Sequence, residues 1–339
     1  MREPTPGAWA RLAALRGLGP GVLACAVVGL AAQFLSDHYG APTLLMALLI
    51  GIAFHFLAEE GRAAAGIEFT GRTVLRLGVA LLGARMSFDL LLGIGGATIG
   101  LVAFGVAATI LFALACAPLL GRGWRIALLT GGAVAICGAS AAMAIAAVLP
   151  RNHTSERNLT FTVISVMLLS TAAMVLYPML AAWLGLDERA TGIFFGATIH
   201  DVAQVVGAGF SVSDTAGETA TLVKLFRVTL LAPVVLCLSL ATRGGGPVGA
   251  RPPLVPGFVL GFIALAVANS VGLVPERVAA LLIDASRWAL VFGIAAVGMK
   301  TSMASVREVG HTAILLVVAE TAFLTGVVLI GLKLLGQAG

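Results

Sequence analysis

The chain has 339 residues, of which 59% are apolar and 11% charged, against roughly 45–50% and about 25% in soluble domains. Its 21 basic and 16 acidic residues are too few to cover a soluble globule, and a chain this apolar is not disordered. Composition predicts a polytopic membrane protein whose charges sit either in loops or at functional positions inside the bilayer.

The N-terminal stretch carries Arg2, Arg11 and Arg16 before the first apolar run. It reads as a cytoplasmic tail over 1–19, ahead of an uncleaved first helix. Residues 20–339 then form a single integral membrane domain. Apolar segments follow at 20–36, 42–58, 72–95, 97–120, 126–149, 159–184, 191–211, 219–241, 254–272, 279–299 and 310–335. Uniformly apolar runs favour helices over the alternating strands of a barrel. The fold class is therefore an all-α polytopic membrane protein with about nine to eleven transmembrane helices. The cysteines Cys25, Cys116, Cys137 and Cys237 all lie in apolar segments without CxxC or Cys/His spacing. They read as free thiols, with no metal and no cofactor expected. With 6% aromatics and no basic face, no nucleic-acid partner is expected.

Basic loops mark the inner side. Arg62 and Arg72, Arg122 and Arg125, and Arg243 and Arg251 place their loops inside, whereas the Asp37–His38 loop lacks Lys and Arg and lies outside. The N-terminus is then cytoplasmic and the C-terminus periplasmic. Strict alternation would put the Arg151–Arg157 loop outside and the Asp187–Arg189 loop inside, the disfavoured placements. The conflict vanishes if 126–149 and 191–211 re-enter, from opposite sides. Eleven plain helices with a weak charge bias is the competing reading.

Arg72-Thr-Val-Leu-Arg-Leu-Gly78-Val-Ala-Leu-Leu-Gly83-Ala-Arg85-Met-Ser87 is matched by Arg287-Trp-Ala-Leu-Val-Phe-Gly293-Ile-Ala-Ala-Val-Gly298-Met-Lys300-Thr-Ser302. Pro42 to His55 can be laid on Pro256 to Asn269. The copies, around 42–120 and 256–335, are separated by an odd number of crossings and so are inverted repeats, the architecture of secondary transporters. Chance likeness between Gly/Ala/Leu-rich helices does not account for the shared cation and serine after the second glycine.

Two Gly-rich segments concentrate the chemistry. In Thr130 to Ser140, Cys137, Gly138, Ala139 and Ser140 permit a broken helix whose free N–H groups bind an anion, or else form a tight packing seam. In Gly196 to Gly209, the residues Thr198, His200, Asp201 and Gln204 interrupt an apolar run; this stretch is expected to meet Cys137–Ser140 near the midplane, with Ser140, Thr198 and Gln204 as donors to a bound oxyanion. His200 and Asp201 are candidates for a coupling proton; a structural polar cluster is the alternative. Lys224 and Arg227 share a helix face and either attract an anion or snorkel to the interface. Arg85 and Lys300 occupy equivalent repeat positions, as anchors at helix ends or as anion gates. His200-Asp-Val-Ala-Gln204 is not HExxH, and no phosphate loop is present. No catalytic residue is assigned, and an enzyme is not expected.

Leu75 to Arg85, Ala135 to Ser140, Thr198 to Gly209 and Lys224-Leu-Phe-Arg227 with Leu231-Ala-Pro233 resemble the YeiH-type sulfate exporter family, from about residue 20 to the C-terminus. The resemblance implies a bacterial inner-membrane protein of the cation/proton antiporter and anion transporter superfamily, with crossed, interrupted helices. The reading that follows is an exporter of a small inorganic or sulfonate anion such as sulfate or sulfite, with a proton or sodium ion as coupling partner and a homodimer by analogy. A passive anion channel, or a structural or sensory membrane protein, is the competing class.

Overall fold

The structure, a computed structural model, describes residues 8–39, 41–59, 61–85, 94–150, 152–241, 256–301 and 311–337. Among them the regular elements are all helical, as hydrocarbon demands of backbone that must satisfy its own N–H and C=O groups. Six helices are long and apolar enough to cross a membrane. The protein is thus an all-α, multi-pass membrane protein.

In chain order the main helices are α1 (Ala8–Tyr39), α2 (Thr43–Ala53), α3 (Phe56–Glu59), α4 (Ala64–Phe69) and α5 (Leu75–Leu81). Then come α6 (Gly96–Cys116), α7 (Trp124–Ala135), α8 (Ala139–Val148), α9 (Ser155–Trp183), α10 (Glu188–Thr198), α11 (Val202–Val212), α12 (Asp214–Thr229), α13 (Leu231–Ala241), α14 (Gly257–Ser270), α15 (Glu276–Lys300) and α16 (His311–Leu334). Helix α1 starts well before residue 20, inside the predicted tail, and carries Pro20 in its interior. The segment predicted to begin at 72 begins at Ala64, and a π turn over Thr70–Val74 joins α4 to α5. Arg2, Ser87, Arg151, Arg243, Arg251 and Ser302, used in the sequence reading, lie outside the described residues.

Two helix pairs turn back on themselves. A Cβ added at Gly132 in α7 would run into the Ile145 side chain of α8, although a continuous helix would hold these residues about 20 Å apart. So α7 and α8 form a re-entrant hairpin. In the second pair, Gly192 and Gly196 of α10 pack in order against Thr219 and Val223 of α12, whereas Gly209 of α11 packs on Gly217. Hence α10 runs parallel to α12, α11 runs antiparallel to it, and α11 reverses α10. Asp187, Asp201 and Ser213 cap α10, α11 and α12 by accepting backbone N–H bonds at 2.6, 2.8 and 3.1 Å, as Asp and Ser do at helix starts. The two chain reversals accord with the re-entrant reading of 126–149 and 191–211.

The helices form two bodies. In one, α1, α2, α4, α5, α14 and α15 pack together; in the other, both hairpins pack with α6, α9, α12 and α16. Helix α11 touches α2 and α15 across the seam. The first body has reciprocal packing. Gly78 meets Ala289 and Leu290, and Gly293 meets Leu75, while Gly83 abuts the Phe262 carbonyl and Gly298 the Leu48 carbonyl. In the repeat register Leu75 corresponds to Leu290, Gly78 to Gly293, Gly83 to Gly298 and Leu48 to Phe262. Each copy thus packs on the other through the same positions, with chain directions opposed.

Candidate functional site

The two hairpin tips meet. At the first, the chain leaves helical geometry at Ile136 (φ −116°, ψ −84°) and reverses through Gly138 at φ +63°. That φ favours glycine, and a Cβ there would also sit 3.6 Å from the His200 Cβ. At the second, Ile199, His200 and Asp201 separate α10 from α11.

The tips present two kinds of helix end. At the C-terminal ends of α7 and α10 the last carbonyls lack helical partners and carry the negative end of the dipole. Lys224 and Arg227, both fully buried, satisfy them. Lys224 Nζ donates to Ile136 O at 2.7 Å and to Ile199 O at 2.9 Å. Arg227 donates to Val134 O and Ala135 O, and also to Ile199 O at 3.1 Å and Gly196 O at 3.4 Å. These residues were expected to attract an anion or to snorkel. Neither reaches the surface to snorkel; most of their donors go to backbone carbonyls, and together they pin both tips to α12.

The N-terminal ends of α8 and α11, with positive partial charge, open into a cavity of about 130 Å³ between the two bodies. Five sequence-predicted residues line it: Cys137, Ser140, Asp201, Gln204 and Lys300. Two further cations, Arg72 and Arg76, join them. Gly138, Ala139, Thr198 and His200 are not in the lining. Gly138 shapes the turn, Ala139 opens α8, and the Thr198 hydroxyl is bonded back to Phe194 O at 2.5 Å. Gln204 is held by Ser170 and Thr171 at 3.5 and 3.4 Å, and Ser170 also accepts the Asp201 N–H at 3.0 Å. His200 points away from the cavity, its Nε2 3.1 Å from Thr321 Oγ1 in α16.

Sequence reasoning missed Arg72, assigned to a loop, and Arg76, one turn further along and inside the predicted segment 72–95. Both sit in the repeat motif itself. At the cavity mouth Lys300 pairs with Glu68, which Arg72 approaches at 3.8 Å.

A second cavity, of about 190 Å³, lies at the opposite end of the seam. Its walls include Arg287, Leu290, Val291, Leu82, Arg85 and Leu44. In the repeat register these correspond to Arg72, Leu75, Arg76, Val297, Lys300 and Phe258 of the first cavity. One inverted architecture therefore makes both. The difference lies in charge and closure: Val291 stands where Arg76 does, and Arg85 is tied across the seam to Glu218 and, at 2.7 Å, to Asp214 of α12.

A family model described as "Conserved hypothetical protein 698" matches residues 20–317. A UPF0324 membrane protein of Rhizobium meliloti, RB0971, is 66% identical over 94% of both chains. The chain belongs to the UPF0324 membrane protein family. Its resemblance to the YeiH-type exporters, read from the hairpin motifs, pointed to this same family. The similarity extends to the UPF0324 membrane protein TauZ of Paracoccus denitrificans, 64% identical over 94% of this chain and 95% of that protein. It also reaches UPF0324 membrane protein CT0845 of Chlorobaculum tepidum, 54% identical over 91% and 88%.

Proposed function

We propose that this protein is a secondary transporter that exports a small oxyanion, such as sulfate, sulfite or a small sulfonate, across the bacterial inner membrane by alternating access. The observation that carries the reading is the first cavity, where two helix N-termini and the side chains of Arg72, Arg76 and Lys300 converge on one small space. The start of α8, which no side chain caps, and forked guanidinium groups both suit oxyanions, while the start of α11 is already capped by Asp201. Ser140 and Gln204 add hydrogen-bond capacity to the same wall. Asp201 is the one acid there, so its charge opposes that of the anion. A proton on Asp201 favours anion binding and its loss favours release, and in this reading that is how anion and proton movements are linked. His200, one residue away at the tip, assists as a second titratable group. The role is transport, with no covalent chemistry.

The matched pair of cavities supports alternation, since ion pairs bridge the seam at the Arg85 end and the salt bridges at the Lys300 end lie within one body. With basic loops inside, the Lys300 end faces the cytoplasm, the N-terminus is cytoplasmic and the C-terminus periplasmic.

The test is flux of radiolabelled sulfate or sulfite in proteoliposomes under an imposed proton or sodium gradient. Uphill accumulation is expected. Flux that only runs downhill would assign a channel, and absence of flux for every small oxyanion tried would remove the reading.

A further inference from the structure

A second polar cluster lies on the far side of the hairpin crossing from the cavity, where α16 packs against α7. Glu320 of α16 is fully buried. Its Oε1 lies 2.7 Å from Thr130 Oγ1, its Oε2 has no partner, and no ion pair reaches it among the described residues. One residue on, Thr321 Oγ1 meets His200 Nε2 at the second hairpin tip.

Burial without a counter-charge sets the charge of this group, and its hydrogen bonding is compatible with a neutral carboxyl. Thr130 has one hydroxyl hydrogen, but its oxygen also sits 2.9 Å from Ile126 O, an acceptor only. If that hydrogen goes to Ile126 O, the short contact to Glu320 needs a second hydrogen, which Glu320 alone can bring. An ionised carboxylate here would also be a buried charge without a counter-charge, the arrangement a protein interior tolerates least. A neutral carboxyl removes both problems: Glu320 Oε1–H donates to Thr130, and Thr130 donates to Ile126 O. The same logic applies to Thr321, whose hydrogen goes to Val317 O at 2.8 Å. Its oxygen is then available to accept from His200 Nε2.

We propose that Glu320 is a proton-binding site of this protein, holding a proton in the present conformation and releasing it when the hairpin body moves. When the proton leaves to water reaching Oε2, the carboxylate takes the Thr130 hydrogen and Ile126 O in α7 loses its side-chain donor. Protonation is thereby read out on the arm of the first hairpin. The titratable groups facing this stretch are His200, through Thr321, and Tyr177 of α9, whose OH lies 2.7 Å from Thr325 Oγ1. Helix α6 presents Phe112, stacked on Phe323, and Gly105, which lies against Leu324, with Cys116 further along beside the cluster that holds Leu316.

Protonation and coupling are tested separately, because coupling rests on the transporter reading and protonation does not. Infrared spectra of the full chain in lipid nanodiscs at neutral pH should show a protonated-carboxyl C=O band that disappears in Glu320→Gln and persists, shifted, in Glu320→Asp. A parent spectrum identical to that of Glu320→Gln in this region overturns the proposal. In proteoliposomes, Glu320→Gln should lose proton-driven accumulation of labelled anion by about tenfold while keeping anion–anion exchange, and Glu320→Asp should restore part of it. Proton-driven accumulation unchanged in Glu320→Gln overturns the coupling. No flux in the parent removes the transporter reading and the coupling with it, and the infrared result still decides the protonated site.

Discussion

Lys224 and Arg227 show how cations are held inside a membrane with backbone carbonyls as their partners. Each replaces the helical partners that the tips cannot supply, and an orphaned buried carbonyl costs about 1–3 kcal/mol. Lys224→Met leaves Ile136 O at the first tip without its side-chain donor and Ile199 O at the second with Arg227 alone. It should therefore lower the unfolding temperature in detergent well beyond a lipid-facing control such as Leu236→Ala; equal temperatures would refute the pinning role. Asp201→Asn separates charge from structure, because Asn caps a helix start as well as Asp. Its unfolding temperature should match the parent while the proton dependence of flux is lost, and unchanged coupled flux would take the role from Asp201. Arg76→Gln should weaken oxyanion binding about tenfold, as expected for loss of one charge-assisted contact, read as a smaller ligand-induced thermal shift. Sequence made Asp201 visible because an acid in an apolar run stands out. Arg76 and Glu320 also stand in apolar runs, but their near neighbours Arg72, Thr73 and Thr321 do not form a recognisable polar motif with them. Their meaning comes from residues distant in the chain, Asp201 for one and Thr130 for the other.

At the scale of elements, glycine decides which helices can approach. Gly83 and Gly298 each lie against a backbone carbonyl of the opposite repeat copy, whereas Gly100 faces open space. A clash with backbone cannot be relieved by rotating a side chain. Gly83→Ala and Gly298→Ala should each cost about 1–3 kcal/mol, and Gly100→Ala should be neutral or slightly stabilising in a helix. Similar losses at all three, measured by thermal unfolding, would argue against the reciprocal contact. Both hairpins were legible in the sequence, through small residues and through two loops whose charges fitted only if the segments re-entered. The start of α1 and the π turn were not, since neither changes the run of apolar residues that marks a span.

For the whole molecule, the seam between the two bodies is the mobile surface the proposed mechanism requires. Arg85 bonded to Asp214 and Glu218 fastens it at one end, outside the first cavity. Replacing both acids, Asp214→Asn with Glu218→Gln, should loosen that end. A cysteine placed at Leu44 in the second cavity should then react with an impermeant thiol reagent several-fold faster than in the parent background. Equal rates would mean that these ion pairs do not close the path. The repeat itself could be read from the sequence. The division into bodies could not, because it depends on which face of each copy meets the other, and the glycine contacts reveal that only in three dimensions.

The correspondence between the two cavities has a practical result. Whatever shape the first repeat copy holds around the Lys300 end, the second copy has an equivalent backbone able to hold it around the Arg85 end. Coordinates for the opposite-facing conformer can therefore be drafted by letting each copy borrow its twin's shape. The Arg76 and Val291 mismatch marks where that draft must differ: the outward-facing chamber would be one cation poorer than the inward one. Under the proposed export cycle, that difference would bias a carried anion towards release at the Arg85 end.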